Sequence, residues 1–237
     1  MTGETQRYGE YSEKGDYHRK IDRKWRYYPV YKAKMQYIRG FLDDLPGEER
    51  ILDAGCGEGV LVEEYQDKGY DIIGLDLDYS SKHVRTGDLR DMPFNDREFH
   101  LVLCLDVIEH LYFEDQKKAL EEVYRVLRDD GLLLLAIPNL AHLASRLSFM
   151  FSGELIRTST VERHRGDRPI KEYLKLLKET GFKVNKRKGL FPTLPLLSAF
   201  THFYPDRVYP LHKVYNTLLA YSNWCFLNLI VCEKRPL

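Results

Sequence analysis

Apolar and polar positions along this chain switch period repeatedly. From residue 48 onward, short apolar runs alternate with stretches of helical spacing. The runs ERILDA, YDIIGLD, HLVLCLD and LLLLAIP read as buried strands. Between them, GVLVEEYQDKG reads as a helix closed by Gly69, and QKKALEEVYRVLRDDG as an amphipathic helix ended by Gly131. Between Asp76 and a short third strand, DYSSKHV leaves room for little more than a turn. Residues 139–168 are mixed. RPIKEYLKLLKETG is a further amphipathic helix, and FKVNKRKG and WCFLNLIVCEK are the last two strands, with residues 190–222 between them. Upstream, Tyr31, Met35, Ile38 and Leu42 recur at helical intervals and predict one or two helices within residues 17–44, interrupted near Pro29. Alternating strands and helices predict an α/β fold, a doubly wound, mostly parallel sheet covered on both faces.

Composition adds bounds rather than chemistry. With 237 residues, 43% of them hydrophobic, the chain builds one large domain with a substantial core. No apolar run is long enough to span a bilayer, and the polar start MTGETQRYGEYSEKGD lacks the apolar stretch of a secretory signal. Cys56, Cys104, Cys225 and Cys232 show neither metal-type spacing nor disulfide density, so reduced thiols and a cytoplasmic location are expected. The net charge of zero is unevenly spread. Residues 1–40 carry 10 basic and 5 acidic side chains, residues 41–160 carry 12 and 25, and residues 161–237 carry 14 and 6. Basic wings around an acidic middle either pack against it or meet an anionic substrate or surface, peripheral membrane contact included.

The chemistry concentrates at ILDAGCGEG, residues 51–59. Glycines 55, 57 and 59 alternate between the first strand and the first helix. In a doubly wound sheet ligands bind at the carboxyl ends of strands, and a loop without side chains lets backbone approach them closely. A dinucleotide fingerprint would need a third glycine at position 60, which is Val60.

The stretch DAGCGEG resembles the first motif of the class I S-adenosylmethionine-dependent methyltransferases, and the resemblance extends from about residue 48 to 189. The broad group of ubiquinone-biosynthesis-type methyltransferases and their small-molecule and lipid-modifying relatives is the nearest match. The resemblance implies a Rossmann-like seven-stranded sheet in the order 3-2-1-4-5-7-6 with its last strand antiparallel. It implies S-adenosyl-L-methionine as cofactor and S-adenosyl-L-homocysteine as product. Asp53, Gly55, Cys56, Gly57 and Gly59 would form the binding loop. Asp76, with Leu77, would face the ribose; Asp88, in GDLRDMPF, would face the adenine amino group with the Leu89 amide beside the ring. Cys104 and Leu105 would lie near the methionine part. The implied organisation is a single domain: an N-terminal helical lid (1–47), the cofactor core (48–189), a substrate-side insertion (190–222) and the last strand (223–237).

A sulfonium is already a good leaving group, so much of the catalysis is positioning. A base is needed only where the acceptor must lose a proton. Asp106, Glu109 and His110 follow the fourth strand and stand at the rim of the pocket; His110, followed by Asp106, is the catalytic candidate. His110 is alternatively a helix-start residue held by backbone, and Glu109 a capping carboxylate. His164, in ERHRGDR, either folds over the substrate or lies on a charged surface. No HxxxH or acidic triplet is present, so no metal is expected. The aromatic stretches suit a hydrophobic small-molecule or lipid-like acceptor, O- or N-methylated; Arg and Tyr in RKWRYYPVYKAK suit an anionic one. A nucleic-acid acceptor is disfavoured by the absence of an appended RNA-binding module, and a cofactor-binding protein without turnover stays open beside it.

Overall fold

The computed structural model describes residues 6–7, 19, 21–157 and 159–235. Most of the polar start, and so most of the first eighteen residues assigned to a lid, lies outside the described residues. Along the chain come β1 (Gln6–Arg7), α1 (Tyr28–Asp43), β2 (Arg50–Ala54), α2 (Val60–Asp67), β3 (Asp71–Asp76), β4 (Tyr79–Ser80), β5 (Val84–Thr86), β6 (Phe99–Leu105) and α3 (Phe113–Val126). They are followed by β7 (Leu127–Pro138), α4 (Leu143–Ser152), α5 (Ile170–Glu179), β8 (Phe182–Pro192), α6 (Pro195–Phe203), α7 (Tyr209–Leu218) and β9 (Cys225–Lys234).

Seven strands form one sheet in the order β5-β3-β2-β6-β7-β9-β8. Counted among themselves these are strands 3-2-1-4-5-7-6, the expected order. β9 runs antiparallel to both β7 and β8, and the other neighbouring pairs are parallel. The apolar runs are buried on both faces because successive side chains point to opposite sides. Leu52, Leu75, Val102, Leu133 and Leu135 meet α3 and α5 on one side. Ile51, Ile72, Leu101, Leu103 and Leu134 meet α1 and α2 on the other.

Three local expectations are revised. Pro29 does not interrupt a helix; it sits in the first turn of α1, where its missing N–H costs nothing and its fixed φ suits the helix. α3 stops at Val126, where Leu127 is already extended (φ −74°, ψ 140°), and the chain passes directly into β7 instead of using Gly131 as a cap. β8 continues to Pro192 and β9 begins at Cys225, so the intervening segment is shifted from 190–222 to 193–224, and it folds as α6 and α7. The short link after Asp76 holds no helix, only β4 and a bend. Among the described residues no helix is long and apolar enough to cross a membrane. α4 and α6 nonetheless expose Phe149, Met150, Phe151, Leu196, Phe200 and Phe203.

Candidate active site

The glycine loop joins β2 to α2. Gly55, Gly57 and Gly59 all have left-handed backbone, φ +82°, +59° and +73°. At Gly59 a Cβ would lie 2.6 Å from Val84 Cγ2, and at Gly55 it would overlap the Val107 side chain. Both conformation and space therefore demand glycine. Asp76, at the end of β3, is buried and ties into this loop: Gly57 N–H donates to Oδ2 at 2.8 Å and Asp78 N–H to Oδ1 at 3.0 Å. An acidic side chain at the end of this strand, beside a glycine loop, is the type of group that accepts from a vicinal diol. Glu58, in the same loop, is 1% exposed and accepts from Arg19 Nε at 2.6 Å; Arg19 also pairs with Glu63 of α2 at 2.9 Å. This clamp from the N-terminal segment onto the loop was not anticipated from sequence.

Two cavities adjoin this end of the sheet. The smaller, about 140 Å³, is lined by Asp53, Gly55, Cys56 and Leu105, with Met35 and Leu61 behind them. The larger, about 570 Å³, is lined by Trp25, Tyr27, Asp106, Glu109, His110 and His164. Ile21, Tyr31 and Lys34 line both. The residues fit S-adenosylmethionine: a side-chain-free loop held in strained-for-others geometry, an acidic diol acceptor beside it, and an adjoining cavity.

The remaining predicted residues are placed as follows. Leu77 is exposed (60%), Leu89 is buried in the core, and the Cys104 thiol is wholly buried, with its pKa pushed well up by burial and nearby carboxylates. Cys104 can thus meet a ligand only through its backbone. Asp88 is held by Arg90, whose Nη2 donates at 2.6 Å and keeps the carboxyl below its usual pKa; Arg90 also reaches Asp115 at 2.8 Å.

On the rim of the larger cavity, Asp106 adopts φ +58°, rare for a residue with a side chain and worth about 1–3 kcal/mol of strain. Its Oδ2 accepts from Lys34 Nζ at 2.5 Å. Lys34 is 4% exposed and belongs to the apolar stripe of α1. A lysine among Tyr31, Met35 and Ile38 was the available signal for it, and it went unread.

The turn Ile108–His110 follows. Glu109 is buried, and burial together with neighbouring Asp106 pushes its carboxyl pKa well up. The segment carrying His164 is bound to this turn through Gly166: its N–H donates to the Glu109 carbonyl at 2.9 Å, and its carbonyl accepts from Gln116 Nε2 at 2.8 Å and Tyr173 Oη at 2.9 Å. The His110 and His164 rings meet edge to face with centroids 4.7 Å apart. His164 is thus part of the pocket wall, with its side chain 11% exposed, and not on a charged surface.

Residues 52–135 match the family model described as a methyltransferase domain. A probable S-adenosylmethionine-dependent methyltransferase of Mycolicibacterium smegmatis is 32% identical over 151 residues, 60% of this chain and 54% of that protein. A tRNA (carboxymethyluridine(34)-5-O)-methyltransferase of Arabidopsis thaliana is 29% identical over 114 residues, 44% of this chain and 28% of the relative. The chain therefore spans about half or less of the length of these curated relatives. Among solved structures, a SAM-dependent methyltransferase from Archaeoglobus fulgidus superposes with a TM-score of 0.58 at 18% identity, covering 92% of this chain and all of that one (100%). The sheet order and this superposition give the chain the fold of the class I S-adenosylmethionine-dependent methyltransferases, and its residues 52–135 are similar to a methyltransferase domain.

Proposed function

We propose that this chain transfers a methyl group from S-adenosylmethionine to a small acceptor seated in the larger cavity. The observation that carries the reading is the adjacency of the two cavities, which share Ile21, Tyr31 and Lys34 as a common wall. When bound, S-adenosylmethionine supplies an electrophilic methyl on a sulfonium and leaves as S-adenosylhomocysteine. Asp76 and the glycine loop hold the nucleoside part, and Asp53, Cys56 and Leu105 flank the methionine part. α1 and the segment from Ile21 cover both cavities and act as the lid. By holding the two partners side by side they replace a bimolecular encounter with a positioned one.

The cavity volume suits a small molecule. One wall is aromatic, formed by Trp25, Tyr27 and Phe226; the other is polar, formed by Asp106, Glu109, His110 and His164. An acceptor with an apolar body and an ionisable head group satisfies both, methylated on oxygen or nitrogen. Deprotonation of that head group runs through His110, which faces the cavity beside Asp106.

Titration calorimetry with S-adenosylmethionine and S-adenosylhomocysteine, with NAD as control, tests the cofactor half; absence of binding by both sulfur nucleotides sinks the reading. Transfer of labelled methyl to pools of phenols, acids and lipids, with tRNA in a parallel arm, tests the acceptor half. Labelling confined to tRNA would replace the small-molecule reading with an RNA one, and cofactor binding without labelling of any pool would make the protein a sensor. The His110→Ala variant is expected to keep cofactor affinity and lower turnover by about 10²-fold or more; wild-type turnover would remove His110 from the chemistry.

A further inference from the structure

Three side chains with metal-binding atoms converge on the larger cavity: Glu109 and His110 from the turn after β6, and His164 from the facing loop. One ligand atom from each lies within 4.8 Å of the others. Proximity alone proves little, but three further observations bear on it.

The first is the state of the imidazoles. His110 Nδ1 lies 3.0 Å from the Arg163 carbonyl oxygen. A carbonyl only accepts, so Nδ1 carries the proton and the lone pair of the neutral ring is on Nε2. His164 Nδ1 lies 3.2 Å from Asp167 Oδ1, with Asp167 itself 6% exposed. That carboxylate fixes the same tautomer. Carbonyl and carboxylate partners on the distal nitrogen are what orient metal-binding histidines and raise their basicity. The second is Glu109. It is 1% exposed, and its Oε2 is a buried oxygen with no hydrogen-bond partner among the described residues. Buried oxygens of this kind normally mark a water or an ion. The third is the placement of Asp106. Its Oδ2 accepts from Lys34, and its Oδ1 is a second buried oxygen beside the cluster with no hydrogen-bond partner among the described residues.

We propose that Glu109, His110 and His164 bind a divalent first-row transition ion, of the Zn²⁺ or Mn²⁺ type, at the acceptor wall of the cavity. Two imidazoles and one carboxylate suit such an ion; an all-oxygen set would suit Mg²⁺ or Ca²⁺. Ligand atoms around a four-coordinate ion stand roughly 3.4 Å apart, so the side chains close by about an ångström on loading. Among the described residues three ligands are supplied, which would leave a position for one more on the cavity side. That position takes water or an ionisable oxygen or nitrogen of the acceptor, whose pKa the ion lowers. His110 then serves deprotonation as a ligand, and the acceptor's proton passes to solvent water at the cavity mouth. This last role rests on the methyl-transfer reading; binding of the ion does not.

The test uses the intact protein stripped with a chelator. Calorimetric titration with Zn²⁺ and with Mn²⁺, Mg²⁺ serving as control, is expected to give one equivalent of the transition ion per chain. Glu109→Gln and His164→Ala are each expected to weaken it at least ten-fold, and Asp167→Asn by about 10–100-fold through the second shell. S-adenosylhomocysteine affinity should stay within about two-fold, which also reports that the variants are folded. The visible spectrum of the Co²⁺-loaded protein should change in the His164→Ala variant. No stoichiometric binding, or binding that survives both Glu109→Gln and His164→Ala, overturns the site. Ion binding without cofactor binding would keep this inference and discard the methyl-transfer reading; cofactor binding and turnover with no stoichiometric ion binding would do the reverse.

Discussion

Asp76 does two jobs with one carboxylate. It holds the glycine loop through the Gly57 N–H, and in the methyl-transfer proposal it also meets the ribose diol. Replacing it by alanine is therefore expected to weaken S-adenosylmethionine binding by about 1–3 kcal/mol, the cost of the lost charge-assisted hydrogen bonds. Calorimetry on Asp76→Ala checks this, and unchanged affinity would remove Asp76 from the cofactor site. Asp106 shows the opposite economy. Its left-handed backbone re-aims the chain as it leaves β6, sending its side chain to Lys34 and the following turn towards His164. Strain at one residue is how the end of a straight strand becomes the corner of a pocket.

At the level of elements, the join between the turn after β6 and the loop before α5 decides the pocket. A Cβ at Gly166 would overlap the Leu111 carbonyl and the Gln116 amide. Gly166→Ala is expected to push this loop away from Glu109, separate His164 from His110, and lower turnover far more than cofactor affinity. A variant whose turnover and cofactor affinity fall together would show that the join supports the whole site instead. The strands and their order were legible because buried strands between amphipathic helices leave a period that survives in one dimension. The glycine loop was legible because alternating glycines are costly unless a backbone needs them. His164 was left between two alternatives, because the ring it meets, His110, comes from a distant segment and Gly166 looks like any surface glycine. The Asp88–Arg90 fork and the Arg19 clamp escaped for the same reason: charged pairs leave no periodicity. The end of α3 was misjudged because Gly131 mimics a cap, while it is Leu127 that turns extended.

For the whole molecule, stability is tied to two buried histidines on the C-terminal side. His142, at the start of α4, bonds Thr193 Oγ1 just after β8 at 3.0 Å, and His212 Nε2 on α7 bonds Thr201 Oγ1 on α6 at 2.7 Å. Burial lowers both pKa values from 6.5 to about 4. Unfolded histidines take a proton as pH falls through their ordinary value, and the folded ones do not until about 4. In that window the unfolded chain binds more protons, so stability falls as pH is lowered. Each histidine contributes up to about 1.4 kcal/mol per pH unit. A melting series from pH 7 to 4.5 should show the midpoint falling, and the His142→Gln/His212→Gln double variant should show a flatter profile. An unchanged slope would place the acid sensitivity elsewhere.

The position of β9 has a further consequence, for synthesis. Among the described residues β8 pairs only with β9, and β9 lies between β8 and β7 although it follows both in the chain. A growing polypeptide that has emerged as far as residue 224 holds β5 to β7 in a ready-made parallel sheet, glycine loop included, with β8 still lacking a neighbour. The same late strand carries Phe226 and Leu227, which wall the larger cavity. On the ribosome, then, the nucleotide-holding half of the molecule matures first, and the chamber that would admit an acceptor is sealed by the insertion of one late strand.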